Sequence, residues 1–541
     1  MCFSGALKTP YDEEKLDNIQ TLSSLYNNIF TGNIPKDIKT YLAYNESVSF
    51  YKNPPSTEDV RPIGIGVAWR RLSAAHALNM TKDAAAQFLA PSQFAIGLSA
   101  GMDFITHITQ SQVERYIAKH PSSTTPPSRA LLILDLVNMF NNVSMVRARD
   151  IIYSNFPHLL PLFDMLYYDE TRCYYRDTSG DRHFFLRHEG SSQGCPFAAL
   201  LACLILHDIL EPIERQLQQR AHQRKNSHQN SDDSFGSRAI TMCYIDDTAV
   251  SIHYDDIRFF LDAFNSAGPP LGCFLKPQKC KILTSTNKHS PLHLLSPQHK
   301  TDLLYALDKY CGGAEAGEIT DGTRILGHPI GHPEFVQTYQ NKTVQKIRAT
   351  VTSLNDLVKD PQVSMSIYKY SLQHYAKHLL FTDVLHSPTI SHTYKHHQTN
   401  FTTTIDSLTK TYLARLLGDP DSTSANLPEH AWCIASTPTG LGGLGGLGFI
   451  DMSTISIKSF VIPFAKSIRA AQHGLAPTPI TSPNVEQVNH AITLPKHISY
   501  SLRSWKTSSL SVFQTSAVGP PNQGRAQAPY SSLSFCLLGK K

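Results

Sequence analysis

The chain has 541 residues, 41% of them apolar and 17% charged, a balance that suits several packed cores and excludes a mainly disordered polymer. Its net charge of +5 is unevenly spread: residues 341–541 hold 18 Lys and Arg against 9 Asp and Glu, whereas residues 1–340 hold 31 against 35. The longest apolar run, 197–206, falls well short of the about 20 residues a bilayer span needs. No secretory leader is read at the start, and the 10 cysteines are scattered without a Cys-x-x-Cys. These features argue for an intracellular protein of nucleus or cytoplasm, not secreted, without a membrane span, a disulfide framework or a zinc finger.

Residues 1–50 read as an N-terminal helical extension broken at Gly32-Asn33-Ile34-Pro35. Val60-Arg61-Pro62-Ile63-Gly64-Ile65 follows, with Arg70-Arg71 shortly after. Residues 93–108 carry Gly97 and Gly101 ahead of an amphipathic helix with Phe104, Ile105 and Ile108 on its apolar side, and 120–128 is a polar loop. An apolar strand at 129–134 ends in Asp135. It leads through Asn138 and Phe140 to a helix capped near Ser144. Residues 151–188 interleave aromatic and basic side chains (Tyr167, Arg172, Tyr174, Arg176, Phe184) around a hairpin turn at Gly180-Asp181. That pattern reads either as a packed hairpin or as a surface on which a nucleic-acid strand stacks. Glu189-Gly190-Ser191-Ser192-Gln193-Gly194-Cys195-Pro196 is a loop opening a buried helix. Its glycines permit close backbone approach, and Pro196 suits a first helical turn. The polar stretch 211–238 reads as a surface insertion.

Tyr244-Ile245-Asp246-Asp247 then sits between two apolar, partly β-branched runs, as strand, tight turn, strand with paired acids at the turn. Adjacent carboxylates repel unless a cation neutralises them, and oxygen-only ligands suit Mg²⁺ or Mn²⁺. Asp135 is far away in sequence, so it joins them only if its strand lies beside theirs. Three carboxylates so placed would clamp two metals about 4 Å apart, the geometry for in-line phosphoryl transfer. A helix at 255–267, a loop at 272–281 with Lys276 and Lys279, a second insertion at 285–320 and a hairpin at 324–331 complete this part.

The order of these strings resembles reverse transcriptases of the retroelement type, those of non-LTR retrotransposons above all. Asp135 to Asn141 is similar to the A motif, Gln193-Gly194-Cys195-Pro196 to the B motif, Tyr244 to Asp247 to the C motif, Gly272 to Lys281 to the D motif and Arg324 to Gly331 to the E motif. The resemblance implies that Asp135, Asp246 and Asp247 hold the metals and that Arg61 and Arg70, with Arg71 behind them, grip the incoming triphosphate. It further implies that Phe140 excludes a 2′-hydroxyl, that Gln193 and Gly194 meet the template or the base pair, and that Lys279 protonates the leaving pyrophosphate. Lys276 stands where the family usually has Asn. A Gly-Gly-Leu-Gly segment at 445–448 also resembles the family, and no fused endonuclease is seen.

The expected fold is α+β, a right hand with fingers and an antiparallel-sheet palm (51–335), a helical thumb (336–430) in which Tyr368, Tyr370, Tyr375 and Lys377 could line a duplex groove, and a partly loose C-terminal extension (431–541). The expected activity is RNA-directed DNA synthesis on a primer 3′-hydroxyl, with an RNA template, a DNA primer or hybrid duplex, and dNTPs as partners. The basic C-terminal half suits contact with that duplex. An RNA-copying RNA polymerase and a non-catalytic nucleic-acid-binding remnant of a mobile element are the alternatives.

Overall fold

The computed structural model describes residues 13–51, 60–98, 101–113, 129–168, 171–227, 239–284, 295–312, 319–320, 322–331, 333–381, 391–419, 427–437, 446–453 and 455. The polar loop at 120–128, the end of the first insertion (228–238), Gly445 of the glycine-rich segment and the Ser, Pro and Thr-rich stretch from 477 lie outside them.

Two helices, α1 (Glu13–Phe30) and α2 (Lys36–Ala43), lead into β1 (Asn45–Tyr51) and β2 (Val60–Gly66), then α3 (Ala68–Leu89) and α4 (Gly101–Gln112). After β3 (Arg129–Leu134) come α5 (Met139–Asn142), α6 (Met145–Asn155) and α7 (Leu160–Phe163), the hairpin β4 (Thr171–Arg176) and β5 (Arg182–Arg187), and α8 (Pro196–Ser227). The next elements are β6 (Ile240–Tyr244), β7 (Asp247–His253), α9 (Tyr254–Ala267), β8 (Lys281–Leu283), α10 (Pro297–Tyr310), β9 (Ile319–Thr320), β10 (Gly322–Ile325) and β11 (His328–Gly331). From there the described chain is helical: α11 (Pro333–Leu357), α12 (Pro361–Tyr370), α13 (Ser391–Leu416) and α14 (Glu429–Ser436).

The central sheet runs β6-β7-β3-β8-β9, antiparallel except between β8 and β9. β3 is almost continuously apolar because both of its faces are covered. Leu132 joins Val250 and Ile252 in the main core over α8 and α9, whereas Leu131 joins Met242 and Leu283 on the opposite face, against Phe104, Ile105 and Ile108 of α4 and Ile330 of β11. A second sheet, β2-β1-β4-β5, forms the fingers. Because β1 belongs to it and Ile29 and Leu42 enter the main core, residues 13–50 are built into the body rather than appended to it. The arrangement is that of a right-hand polymerase.

α8 corrects one expectation. The stretch 211–227 continues the helix instead of leaving it as an insertion. Its polar composition conceals an apolar stripe at four-residue spacing, Ile213, Leu217 and Ala221, all buried. Arg220 and Arg224 then pin it to the buried Asp256 of α9 at 2.6 and 2.5 Å. By length and composition this helix could cross a membrane, but 67% of its most apolar window is buried inside the protein, as expected of a core helix. The second insertion likewise contains a packed element, α10, capped by Ser296 and burying Leu303, Ala306 and Leu307.

The thumb helices have their own core of Ile347, Val351, Leu380, Phe401, Tyr412 and their neighbours. Trp432, Phe449 and Met452 belong to it too, so this packing runs past the boundary expected at 430. Tyr368, expected in a groove, is instead stacked on Tyr412 with centroids 4.2 Å apart, and its hydroxyl meets Thr409 Oγ1 at 2.7 Å. Tyr370 and Tyr375 of the same stretch are exposed.

Candidate active site

The site forms where the central sheet turns. β6 and β7 pair through Tyr244↔Asp247, which leaves Ile245 and Asp246 as a two-residue turn. Such turns need positive φ, and Ile245 has φ 59°, a conformation that costs a β-branched residue about 1–3 kcal/mol. A buried side chain holds it there. Gln93 donates from Nε2 to the Ile245 carbonyl (3.1 Å), and its Oε1 accepts from the Ile245 amide (2.9 Å). On either side, Cys243 N donates to Ser92 O and Phe94 N to Cys243 O. The segment ahead of α4 therefore braces the acid-bearing turn from behind, through Gln93. We expect Gln93→Leu to lower unfolding free energy by about 1–2 kcal/mol, because two partly buried backbone groups lose their partner. Adding Ile245→Asn, which tolerates the left-handed region, should recover part of the loss. Denaturant melts of wild type, single and double variants measure both effects, and a Gln93→Leu melt identical to wild type would refute the bracing role.

Asp135 reaches the turn through strand register. β3 pairs with β7 as far as Leu134↔Thr248, so one further step sets Asp135 opposite Asp247. The D-motif loop locks it from the far side: the Asp135 carbonyl accepts from Lys276 N at 2.8 Å, and Val137 N donates to Phe274 O at 2.8 Å. Lys279 Nζ stands 3.7 Å from Asp135 Oδ2, both groups being open to water, a loose pair free to exchange partners.

The carboxylates feel one another. Burial first, then the Asp135 charge, raises the Asp246 carboxyl above its ordinary range, with backbone hydrogen bonds and Arg61 opposing. Asp247 is pushed up to about 6 by the surrounding protein, then by Asp246 and Asp135, and Arg61 again opposes. Arg61, exposed on β2, is thus the cation that the fold presents to the acids. The donor set is hard oxygen and its charge is only partly offset, by Arg61 and Lys279, which suits a divalent cation. As placed, the side chains do not close around one centre: among the described residues, no group of three or more His, Cys, Asp or Glu is set to hold an ion. The donor type suits a divalent cation.

Arg70 is not brought here. It lies on the inner face of α3 with Ala74 and Ala77, 1% exposed, bonded to the Ala43 carbonyl and laid over the Tyr167 ring. Helical spacing turns it inward and leaves Arg71 exposed. Phe140 sits half-buried on α5, beside the main core, and its carbonyl accepts from both Ser191 N and Ser191 Oγ. That ties it to the Gln193 loop. The Gln193 carbonyl in turn accepts from Gly64 N at 2.8 Å, so the B-motif loop docks on the same strand that carries Arg61. The two glycines of this loop are required by the protein itself. A Cβ at Gly190 (φ 73°) would strike the Asn141 carbonyl oxygen at 2.2 Å, and one at Gly194 (φ 111°) would crowd Gly64 O and Ile63 at 3.1 Å. Gln93 is the functional position that sequence reasoning missed, because a single Gln beside a Phe has no pattern of its own.

A profile of the family described as reverse transcriptase (RNA-dependent DNA polymerase) matches residues 51–330. The chain belongs to that family. Its members are nucleotidyltransferases, and this reverse transcriptase places Asp135, Asp246 and Asp247 at the meeting of β3, β6 and β7. None of the curated proteins matches it in sequence. Among solved structures it is similar to a telomerase from Candida tropicalis truncated from its C-terminal domain (10% identity, TM-score 0.35, covering 54% of this chain and 53% of that one). It is also similar to telomerase from Candida albicans in complex with a fragment of telomeric RNA (9%, 0.41, 88% and 66%) and to apo telomerase from Candida tropicalis (9%, 0.40, 92% and 72%). The chain spans about half of the first of these and just under two thirds of the second.

Proposed function

We propose that this reverse transcriptase is an RNA-directed DNA polymerase of a retrotransposon-like element, which extends a primer 3′-hydroxyl with dNTPs on an RNA template. The observation that carries this reading is the β3–β7 register, which sets Asp135 opposite Asp247 and beside the Asp246 turn. Asp135, Asp246 and Asp247 would hold two divalent cations, Mg²⁺ or Mn²⁺. When bound, these lower the pKa of the attacking hydroxyl and neutralise charge on the leaving pyrophosphate.

The remaining roles fall to this chain's own side chains. Arg61 supplies a planar fork for phosphate oxygens next to the acids, and Lys279 holds a proton at Nζ within reach of the same site. The Gln193 loop, docked on β2, backs the place of the incoming base pair. Phe140 flanks the sugar. The basic excess in residues 341–541 suits the duplex that leaves the site. A nuclear or cytoplasmic location accords with cysteines that are unpaired among the described residues.

The test is primer extension by the purified chain on matched RNA and DNA templates, with dNTPs or rNTPs and with Mg²⁺ or Mn²⁺. The expected result is DNA product on the RNA template, dependent on the divalent ion. RNA product alone would establish an RNA polymerase. Duplex binding without any product would establish a non-catalytic remnant.

A further inference from the structure

Away from the carboxylates, one cluster is more polar than packing alone requires. It lies on the inner face of the fingers sheet. Strand pairing sets Asn45 of β1 between Gly66 of β2 and Cys173 of β4, and Thr171, two residues before Cys173, stands opposite Arg187 across the β4–β5 hairpin. Asn45, Thr171 and Cys173 are buried. Arg182 to Leu186 of β5 are exposed, whereas Arg187, the last residue of the hairpin, is half-buried.

Tyr167, itself buried, carries two guanidiniums on its ring, Arg70 at 5.2 Å and Arg187 at 5.0 Å. Among the described residues no carboxylate pairs with either. Burial lowers the Arg187 guanidinium below its ordinary pKa, Tyr167, Cys173 and Cys195 oppose the fall, and Arg70 adds to it. A cation kept in such a place costs stability that an apolar residue of similar volume would not. What the guanidinium offers instead is a rigid fork of directed donors. One arm, Nη2, donates to the Leu166 carbonyl at 3.4 Å, and the other, Nη1, donates to the Ser192 hydroxyl.

Ser192 is 6% exposed and lies against Gly64, where a Cβ would stand 3.1 Å from its own. Its neighbours on either side reach the catalytic centre. Ser191 holds the Phe140 carbonyl, and the Gln193 carbonyl accepts from Gly64 N on the strand of Arg61. One hydroxyl thus ties the end of the hairpin to the loop that spans Phe140 and β2.

We propose that Arg187 is a positioning residue for nucleotide selection. Acting through Ser192, it holds the 190–194 loop in place against β2 and so fixes where Gln193 and Gly194 stand when a dNTP pairs with the template. This role rests on the polymerase reading, which gives that place to the base pair. Without the bond the loop keeps its contact with Gly64 but loses its tether to the hairpin. A correct dNTP is then held less well and a mismatched one rejected less well, while the carboxylates are untouched.

The test compares the full chain with its Arg187→Met, Arg187→Lys, Ser192→Ala and Arg187→Met/Ser192→Ala variants in single-nucleotide insertion. Arg187→Met and Ser192→Ala should each raise the dNTP KM about tenfold, change kcat far less, and reduce the ratio of correct to mismatched insertion. The double variant should be no worse than either single one, because both remove the same bond. Arg187→Lys, with a donor but no fork, should fall between wild type and Arg187→Met. Amide hydrogen exchange reads the tether without catalysis: the Gly64 and Ser191 amides should exchange faster in both single variants. A merely structural Arg187 would lower the melting temperature and leave KM and the mismatch ratio unmoved. That result, KM effects that add in the double variant, or unchanged exchange would each overturn the proposal. Should Arg187→Met fail to fold, Ser192→Ala decides by itself, since it removes a single oxygen. Wild type that extends no primer would strike the polymerase reading, and faster exchange in the variants would show the tether standing without it.

Discussion

Protein carrying Asp246→Asn is expected to extend primers at least about a thousandfold more slowly than wild type, while melting no lower. The rate loss follows from the chemistry. A carboxylate that ligates a catalytic cation, the role proposed for Asp246, would contribute several kcal/mol to phosphoryl transfer, and each 1.4 kcal/mol or so is a factor of ten. The stability expectation follows from the sign of the shift. Burial raises the Asp246 carboxyl above its unfolded value, so at neutral pH the charged form is more at home in the unfolded chain, and ionisation works against folding. An amide of the same shape removes that opposition. Asp135→Asn should fail in extension to a similar degree. Single-turnover extension beside thermal melts measures both quantities, and near-normal turnover by either variant would refute the metal assignment. A variant that loses activity only because it unfolds would show itself in the melt.

The parts of this site that were legible in the sequence are those with local signals. An apolar run ending in Asp135, a turn between two β-branched runs and a glycine-rich loop before Pro196 each declare themselves within about ten residues. Their assembly was legible only as a conditional: Asp135 joins the others if β3 lies beside β7, and the Leu134↔Thr248 register satisfies it. What sequence could not supply is which way a long side chain turns. Arg70 and Arg71 are indistinguishable by type, and helical phase buries the first against Tyr167 and leaves the second in water. Tyr368 and Tyr370 divide in the same manner on α12.

Composition also misled where a helix needed only one buried residue per turn. The polar stretch after 211 keeps Ile213, Leu217 and Ala221 in line and uses its arginines to grip Asp256. A stripe that thin is hidden among Gln, His and Arg. Gln93 is the extreme case. Its bracing role lies in two hydrogen bonds to a backbone 152 residues away, and nothing near it in sequence reports them. A strained turn residue is visible only once the fold is known, and so is the side chain that holds it.

Phe140→Val is expected to lower the ratio of dNTP to rNTP efficiency by about tenfold or more, the order of discrimination that a single steric contact provides. Phe140 follows Asp135 by one short turn of chain, entered through Asn138 in the left-handed region at φ 44°. Its backbone is fixed to the Gln193 loop by the two Ser191 bonds, so truncating the ring should leave the main-chain path intact. The ring is half-buried rather than enclosed, packed beside the main core and partly open to water. If it excludes the 2′-hydroxyl by contact, shortening it admits rNTPs while dNTPs, already accommodated, lose less. If it is only a core ring, truncation removes packing and depresses both reactions together, at a stability loss below the roughly 3–5 kcal/mol of a fully buried phenylalanine cut back to alanine. The two cases separate in the ratio and not in either rate alone. A ratio that stays fixed while the melting temperature falls would assign Phe140 to the core and remove the main support for a DNA product.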